Sequence, residues 1–225
     1  MIGKGKSISH GVAALEYDLA KEIDGQAAAT EIARHELYGC TGAEMVQEMK
    51  PYFTDFPNVK NNCLRFEVSP SIEESSSFTD ADWAELGNDF MQRMGLMNHQ
   101  YIIIRHSGTE SKKEQAHLHI LANRISLSGE LYRDNWIGKR ATEAANAIAK
   151  ERNFVQSQDI GKANKAEIKE AMNEVLKKLQ GFDLAKFQEE LGKLGFKVRE
   201  AGQAPGNLTA TMSQPGAVRS IRQAR

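Results

Sequence analysis

Apolar residues recur at helical spacing over residues 11–23, where Val12, Leu15, Leu19 and Ile23 share one stripe, so a helix is expected there. Thr41 with Glu44 three residues on forms a capping-box pattern that opens a second, short helix, and Pro51 is expected to stop it. The run CLRFEVS at 63–69 alternates, with Leu64, Phe66 and Val68 on one side and Arg65, Glu67 and Ser69 on the other, which predicts a half-buried strand. Thr79 and Asp82 cap a strongly amphipathic helix carrying Trp83, Leu86, Phe90 and Met94, with Gly95 as its stop. Two β-rich runs follow, QYIIIRH at 100–106 and HLHILANRI at 117–125, separated by a polar loop. Strands adjacent in sequence and joined this way are most simply an antiparallel pair. An alanine-rich helix is expected near 139–152. Two more follow, the first marked by Ile168, Ala171, Met172, Val175, Leu176 and Leu179, the second by Leu184, Phe187, Leu191 and Leu194. The last 25 residues read as a weak strand and a loose basic tail. This mixed order predicts an α+β fold, a central antiparallel β-sheet flanked by helices, with C-terminal helices.

At 225 residues the chain suits one domain with an appendage. Its 40% hydrophobic and 26% charged content is that of a globular protein. No run is apolar enough to span a membrane, so no membrane partner is expected. The opening MIGKGKSISHG has no apolar core of a secretory signal, and the two cysteines, Cys40 and Cys63, suit a reduced, cytoplasmic protein. The formal net charge of −1 conceals a division. Residues 1–90 carry 7 Lys/Arg against 16 Asp/Glu, whereas 91–225 carry 22 against 14. A basic C-terminal half can attract a polyanion, though solvated helix faces would give the same count.

Three of the six histidines, His106, His117 and His119, fall within fourteen residues. Alternate residues of a strand share a face, so His117 and His119 point together, and a paired strand brings His106 to the same patch. Three convergent neutral imidazoles leave coordination positions open on a metal ion, as catalytic sites require. The competing reading is a set of isolated core or surface histidines. Imidazole donors suit Zn, Fe, Ni or Cu, Mg prefers oxygen, and Mn falls between. On the helical wheel Tyr17 falls opposite the apolar stripe, free to face a cleft or simply solvent.

The segment HQYIIIRHSGTESKKEQAHLHILANRI resembles the third motif of conjugative and mobilisation relaxases, the HUH endonuclease class. Its upstream His followed by His–hydrophobe–His–x–x–x–Asn is matched by His106, His117, Leu118, His119 and Asn123. The opening GKGKSISHGVAALEYDLAK resembles the first motif, whose tyrosine nucleophile matches Tyr17, and CLRFEVSPS resembles the second, which places Ser69 near DNA. The likeness is to MOB-P-like relaxases of Bacteroides-type mobile elements. It covers residues 1–160 as a catalytic domain, with 161–225 as a C-terminal helical extension packed on or continuing it. Chain beyond the catalytic domain is common in the family, so the sequence is expected to be part of a longer protein. The family pattern also places an Asp shortly after the upstream His. The loop here has none, which leaves Glu110 or Glu114, with Asn123, to orient a ligand. His99 precedes the strand as in relatives and is read as structural or DNA-contacting.

The resemblance implies a two-layer HUH relaxase-like fold and a bacterial, cytoplasmic enzyme that nicks and transfers one DNA strand at an origin of transfer. A divalent ion (Mn or Mg in use, Zn or Ni possible in the site) and Tyr17 would form a 5′-phosphotyrosyl intermediate, mobilising a plasmid or transposon. Single-stranded DNA is the implied substrate, with accessory DNA-binding proteins and a coupling protein as partners. Lys4, Lys6, Arg105, Arg124, Lys139 and Arg140 are candidate phosphate contacts, and Tyr132 and Trp136 candidate base-stacking residues. Two rivals stand beside this reading. One is a replication initiator of the same nuclease class, whose tyrosine would follow the His pair. The other is a non-catalytic DNA-binding module with a structural histidine cluster.

Overall fold

The computed structural model describes residues 1–109, 115–179, 181, 183–200, 208–214 and 217–222. In chain order the first elements are β1 (Ile2–Ile8), α1 (Gly11–Leu19), β2 (Glu22–Ile23), β3 (Gln26–Ala27), β4 (Ala29–His35), α2 (Gly42–Phe53), β5 (Cys63–Ser69) and α3 (Ile72–Ser75). Then come α4 (Asp80–Met94), β6 (His99–His106), β7 (His117–Ser126), α5 (Ile137–Glu151), α6 (Ser157–Lys178), α7 (Leu184–Lys193), β8 (Phe196–Glu200), β9 (Leu208–Gln214) and β10 (Ala217–Arg222). They divide into two compact units, Met1–Ser157 and Gln158–Arg225. Among the described residues no helix is long and apolar enough to cross a membrane. Cys40 is exposed and Cys63 buried, with no disulfide between them.

The first unit is built on a five-stranded sheet of order β1-β5-β7-β6-β4, antiparallel at every pairing. One face buries Leu64, Phe66, Val68, Tyr101, Ile103, Leu118, Ile120 and Ala122 against Trp83, Leu86 and Phe90 of α4 and Ala141, Ala145 and Ile148 of α5. The other buries Cys63, Ile102, Ile104 and Leu121 under Ala14 and Leu15 of α1 and Met45, Val46 and Met49 of α2. The expected antiparallel sheet flanked by helices is therefore present, with a helix layer on each face where the resemblance implies two layers in all.

The capping boxes behave as their residues dictate. The Thr41, Ser71 and Thr79 hydroxyls accept from the backbone N–H groups of Glu44, Glu74 and Asp82, whose side chains bond back. Gly95, at φ 73°, ends α4 in the left-handed conformation that glycine adopts without strain. Two boundaries differ from expectation. Helix α1 ends at Leu19, and Ile23 lies instead in β2, because Asp24 and Gly25 (φ 53° and 74°) form the two-residue turn of a β2–β3 hairpin. Pro51 sits in the last turn of α2, which runs on to Phe53. Strands β1 and β4 carry too weak an alternation to be read. In β1 the reason is direct: a Cβ on Gly3 would lie 2.4 Å from the Ala141 carbonyl oxygen and 2.6 Å from the Ala145 Cβ. The glycine-rich strand and the alanine-rich helix are two halves of one close contact.

In the second unit, Ile168, Ala171 and Val175 of α6 and Phe187 and Leu191 of α7 form a core with Phe196. Leu176 and Leu194, expected on those stripes, are about two-fifths exposed, at 43% and 41%. Where the sequence suggests one weak strand and a loose tail, β8, β9 and β10 pair as an antiparallel sheet. The helical extension thus also carries a sheet.

Candidate metal and DNA-nicking site

The pairing of β6 with β7 sets His106 opposite His117. Strand alternation then puts His106, His117 and His119 on the face covered by α1, since each shares its parity with Ile104 or Leu121. The three rings offer nitrogens that all lie within 4.8 Å of one another. His117 Nε2 is 3.1 Å from His119 Nε2. The His106 ring centroid is 4.4 Å from that of His119 and 5.4 Å from that of His117. His106 and His117 are buried and His119 nearly so.

Burial holds His106 and His119 neutral. It drives His106 down to about 4, with the Asp18 carbonyl opposing the shift, and His119 down to about 2, the neighbouring histidines adding to the effect. Their hydrogen bonds identify which nitrogen carries the proton. A carbonyl only accepts, so His106 Nε2, 2.8 Å from the Asp18 backbone oxygen, is the N–H and leaves Nδ1 with its lone pair. His117 Nδ1 likewise donates to the Gln115 carbonyl at 3.0 Å and frees Nε2. Uncharged nitrogens with free lone pairs, gathered in one buried patch, are a donor set that fits a divalent transition-metal ion.

Asp18, which the sequence reading missed, ties α1 to this cluster. Its side chain is buried and takes two hydrogen bonds from Arg65, Nη2 to Oδ1 at 2.5 Å and Nε to Oδ2 at 3.1 Å. Burial raises the Asp18 carboxyl above its ordinary value and the guanidinium opposes the rise. Arg65 Nη2 also lies 3.3 Å from His119 Nδ1. Spacing held the available signal: Asp18 sits three residues after Leu15 and four after Ala14, on the stripe α1 buries.

Tyr17, next to Asp18, is 59% exposed, off the buried stripe as its wheel position requires, with Lys21 Nζ 5.8 Å from its ring centroid. Lys4 and Lys6 project from β1 on the histidine face and line a cleft of about 240 Å³ with Arg65, Glu67 and His119. Lys4 pairs with Glu67 at 2.7 Å. Ser69 is buried and accepts from Gln115 Nε2 at 3.2 Å, beside the residue that anchors His117.

Other expected residues lie elsewhere. Glu110 and Glu114 are outside the described residues. Asn123 shares the histidine face but lies four residues along β7 from His119, about 13 Å at strand rise. Its amide bonds Gln100 Oε1 at 2.9 Å and its oxygen accepts from the Ile125 N–H, so it braces the core rather than a ligand. Arg105 points to the opposite face, where it meets Asp80 and Thr30. Arg124 is committed to the Tyr132 and Asn61 carbonyls and to Asp134. Tyr132 packs on the core, donates to the Met94 carbonyl and receives Arg140. His99 is buried with Nδ1 on the Asn123 carbonyl, a structural position. Lys139 is exposed beside Glu143, and Trp136 is 80% exposed at the start of α5.

A family model described as relaxase, MobA/VirD2-like, nuclease domain matches residues 17–154. No curated protein matches the sequence. Among solved structures, the metal-bound conjugative relaxase TrwC in complex with oriT DNA is similar at a TM-score of 0.38 and 12% identity, covering 89% of this chain and 73% of that chain. With more than half of its length matched by the family model, the chain belongs to the MobA/VirD2-like relaxase nuclease domain family and is a DNA-nicking enzyme.

Proposed function

We propose that the chain cleaves one strand of DNA at an origin of transfer by attack of Tyr17 on a phosphodiester held at His106, His117 and His119, and can run the step backwards to reseal it. The observation that carries this reading is the convergence of three imidazoles on the face where Asp18 fastens the helix bearing Tyr17. His106, His117 and His119 would hold a divalent ion, with Mn or Mg in use and Zn or Ni able to occupy the site. Such an ion, when bound, would offset the charge on the non-bridging oxygens and make phosphorus easier to attack. Lys4 and Lys6 would bind neighbouring phosphates along the cleft beside His119. The buried ion pair of Asp18 with Arg65 holds the end of α1 in place, so that the exposed phenol of Tyr17 is presented rather than packed.

The step balances as a transesterification. The Tyr17 oxygen forms a bond to phosphorus as its proton leaves, the bond from phosphorus to the 3′ oxygen breaks, and that oxygen takes up a proton. The products are a 5′-phosphotyrosyl link and a free 3′-hydroxyl, and the link retains the energy needed for reversal. Single-stranded DNA is the substrate, because in-line attack needs the phosphate free of the duplex. Mobilisation of a plasmid or transposon, with accessory DNA-binding proteins and a coupling protein, is the setting this chemistry serves. The catalytic part is assigned to residues 1–160 and the extension to 161–225.

The test uses single-stranded oligonucleotides tiled across the DNA that flanks the coding sequence, incubated with the protein and Mn or Mg. A protein–DNA adduct that survives denaturation is expected with the native chain and not with Tyr17→Phe, which should still bind DNA. Adduct formation by Tyr17→Phe, or none by the native chain with any oligonucleotide, would overturn the reading.

A further inference from the structure

The hydrogen bonds around the three histidines do not leave them equivalent. His106 presents Nδ1 and His117 presents Nε2 as free lone pairs. At His119 the guanidinium of Arg65 faces Nδ1 at 3.3 Å, and a guanidinium can only donate. Nδ1 of His119 therefore accepts, its proton is on Nε2, and that N–H points at His117 Nε2, 3.1 Å away. This is a complete chain, from Arg65 through His119 and His117 to the Gln115 carbonyl. It spends two of the three nitrogens that an ion would need, His119 Nε2 as a donor and the lone pair of His117 Nε2 as its acceptor.

For His119 to offer Nε2, its proton has to stand on Nδ1 and meet an acceptor there. The acceptor at hand is Asp18, whose Oδ1 is 3.8 Å from His119 Nδ1, about 0.6 Å beyond hydrogen-bond reach. The same residue already fixes His106 through its backbone carbonyl. We infer that Asp18 is the positioning residue of the histidine set: its carbonyl holds His106 with Nε2 protonated, and its carboxylate, exchanged from Arg65, receives Nδ1–H of His119 and so turns Nε2 into a ligand.

The inference rests on the metal-site reading above. No net proton is consumed, since His119 loses one to solvent at Nε2 and gains one at Nδ1. Arg65 is the counterweight that keeps His119 in the other tautomer. Carboxylates that fix ligand histidines elsewhere contribute about 10–100-fold in metal affinity, which sets the expected size. Because Asp18 adjoins Tyr17, one residue sets both the ligand tautomers and the end of the helix that carries the nucleophile.

The decisive measurement is the side-chain ¹⁵N spectrum of the histidines, with metal affinity measured beside it. It is made on the full chain before and after addition of Zn²⁺. In the native protein, His119 is expected to pass from Nε2–H to Nδ1–H on metal addition, while His106 stays Nε2–H. Asp18→Ala should bind Zn²⁺ about 10–100-fold more weakly, and Asp18→Asn, which keeps a carbonyl acceptor, should recover most of the loss. Arg65→Met should show His119 as Nδ1–H before any metal is added, without weaker binding. That result separates tautomer control from a merely structural ion pair, whose loss would weaken Asp18→Ala and Arg65→Met alike. Should Asp18→Ala fail to fold, Arg65→Met decides alone. Retention of Nε2–H by His119 in the native Zn²⁺ complex, or unchanged affinity in Asp18→Ala, overturns the inference and leaves the metal site standing. A native chain that binds no divalent ion removes the metal reading and this inference together.

Discussion

His117 and His119 face each other nitrogen to nitrogen, Nε2 to Nε2, at 3.1 Å. Two nitrogens bound to one ion at ~2.0–2.1 Å stand ~3.3 Å apart in a tetrahedral shell, so the pair is spaced almost as a shared ion would space it. His117→Ala should therefore weaken divalent-ion binding by more than about 100-fold, beyond the usual effect of losing a residue that only supports a ligand. His99→Ala, with its buried ring bonded to the Asn123 carbonyl, should leave ion affinity unchanged while lowering stability. Titration calorimetry separates the two, and equal ion affinity in His117→Ala and the native chain would refute the assignment.

Acid should weaken the metal-free fold. His106 and His119 are held below the ordinary imidazole value of 6.5, at about 4 and about 2. Below 6.5 the unfolded chain takes up protons that the folded chain refuses, so stability falls as pH drops. The fall begins near 6.5, loses the His106 contribution by about 4, and continues more shallowly towards 2 through His119 alone. Above 6.5 these two groups contribute no slope. Urea melts across pH 4–8 test this, and flat stability between 6.5 and 4.5 would contradict it.

Salt dependence should sort the candidate phosphate contacts by face. For single strands each phosphate contact contributes about 0.7 to the slope of log affinity against log salt. Lys4→Ala with Lys6→Ala should lower that slope by about 1.4, because both lysines line the cleft beside His119. Arg105→Ala should not change it, since Arg105 lies on the opposite face with Asp80.

Trp136 invites a different experiment. Its indole is 80% exposed while its backbone holds φ 55°, a conformation that bulky residues rarely adopt. If that ring stacks on a base, Trp136→Ala should cost about 1–3 kcal/mol of single-strand affinity with a nearly unchanged Tm. Unchanged affinity would exclude it from the DNA path.

Gly3→Ala tests the contact of β1 with α5. The added methyl meets a backbone oxygen and an alanine methyl, neither able to rotate away. Overpacking of this kind costs about 1–3 kcal/mol, at about 2–4 °C of Tm per kcal/mol for a unit of this size. A Tm equal to that of the native chain would show that the two elements separate easily.

Legibility in the sequence followed side-chain chemistry. The alternation of Leu64, Phe66 and Val68 gave β5 with its observed bounds, and Thr79, Asp82 and Gly95 marked both ends of α4. The histidine strands and their pairing followed from hydrophobic runs alone. What stayed hidden lacked such a pattern. Strand β1 packs through Gly3 and Gly5, which have no side chain to alternate. Asp18 faces inward from α1 and Arg65 lies half-buried against it because each neutralises the other, whereas hydropathy assigns both to water. Arg105 and Arg124 looked like phosphate ligands because charge says nothing about an existing partner; Asp80 and Asp134 occupy them.

The grip of α5 on β1 also orders how the nuclease unit is made. The Thr142 hydroxyl bonds the Gly3 carbonyl at 3.0 Å, and Ala141 and Ala145 close over the same strand. The opening strand therefore pairs with β5 but waits, through some 140 residues of synthesis, for the helix that closes over it. A fragment trimmed to the matched span of 17–154 would discard that strand. It would bare the β5 edge, release Ala141 from its seat and lose both cleft lysines, leaving three histidines on a scaffold prone to pair with its neighbours.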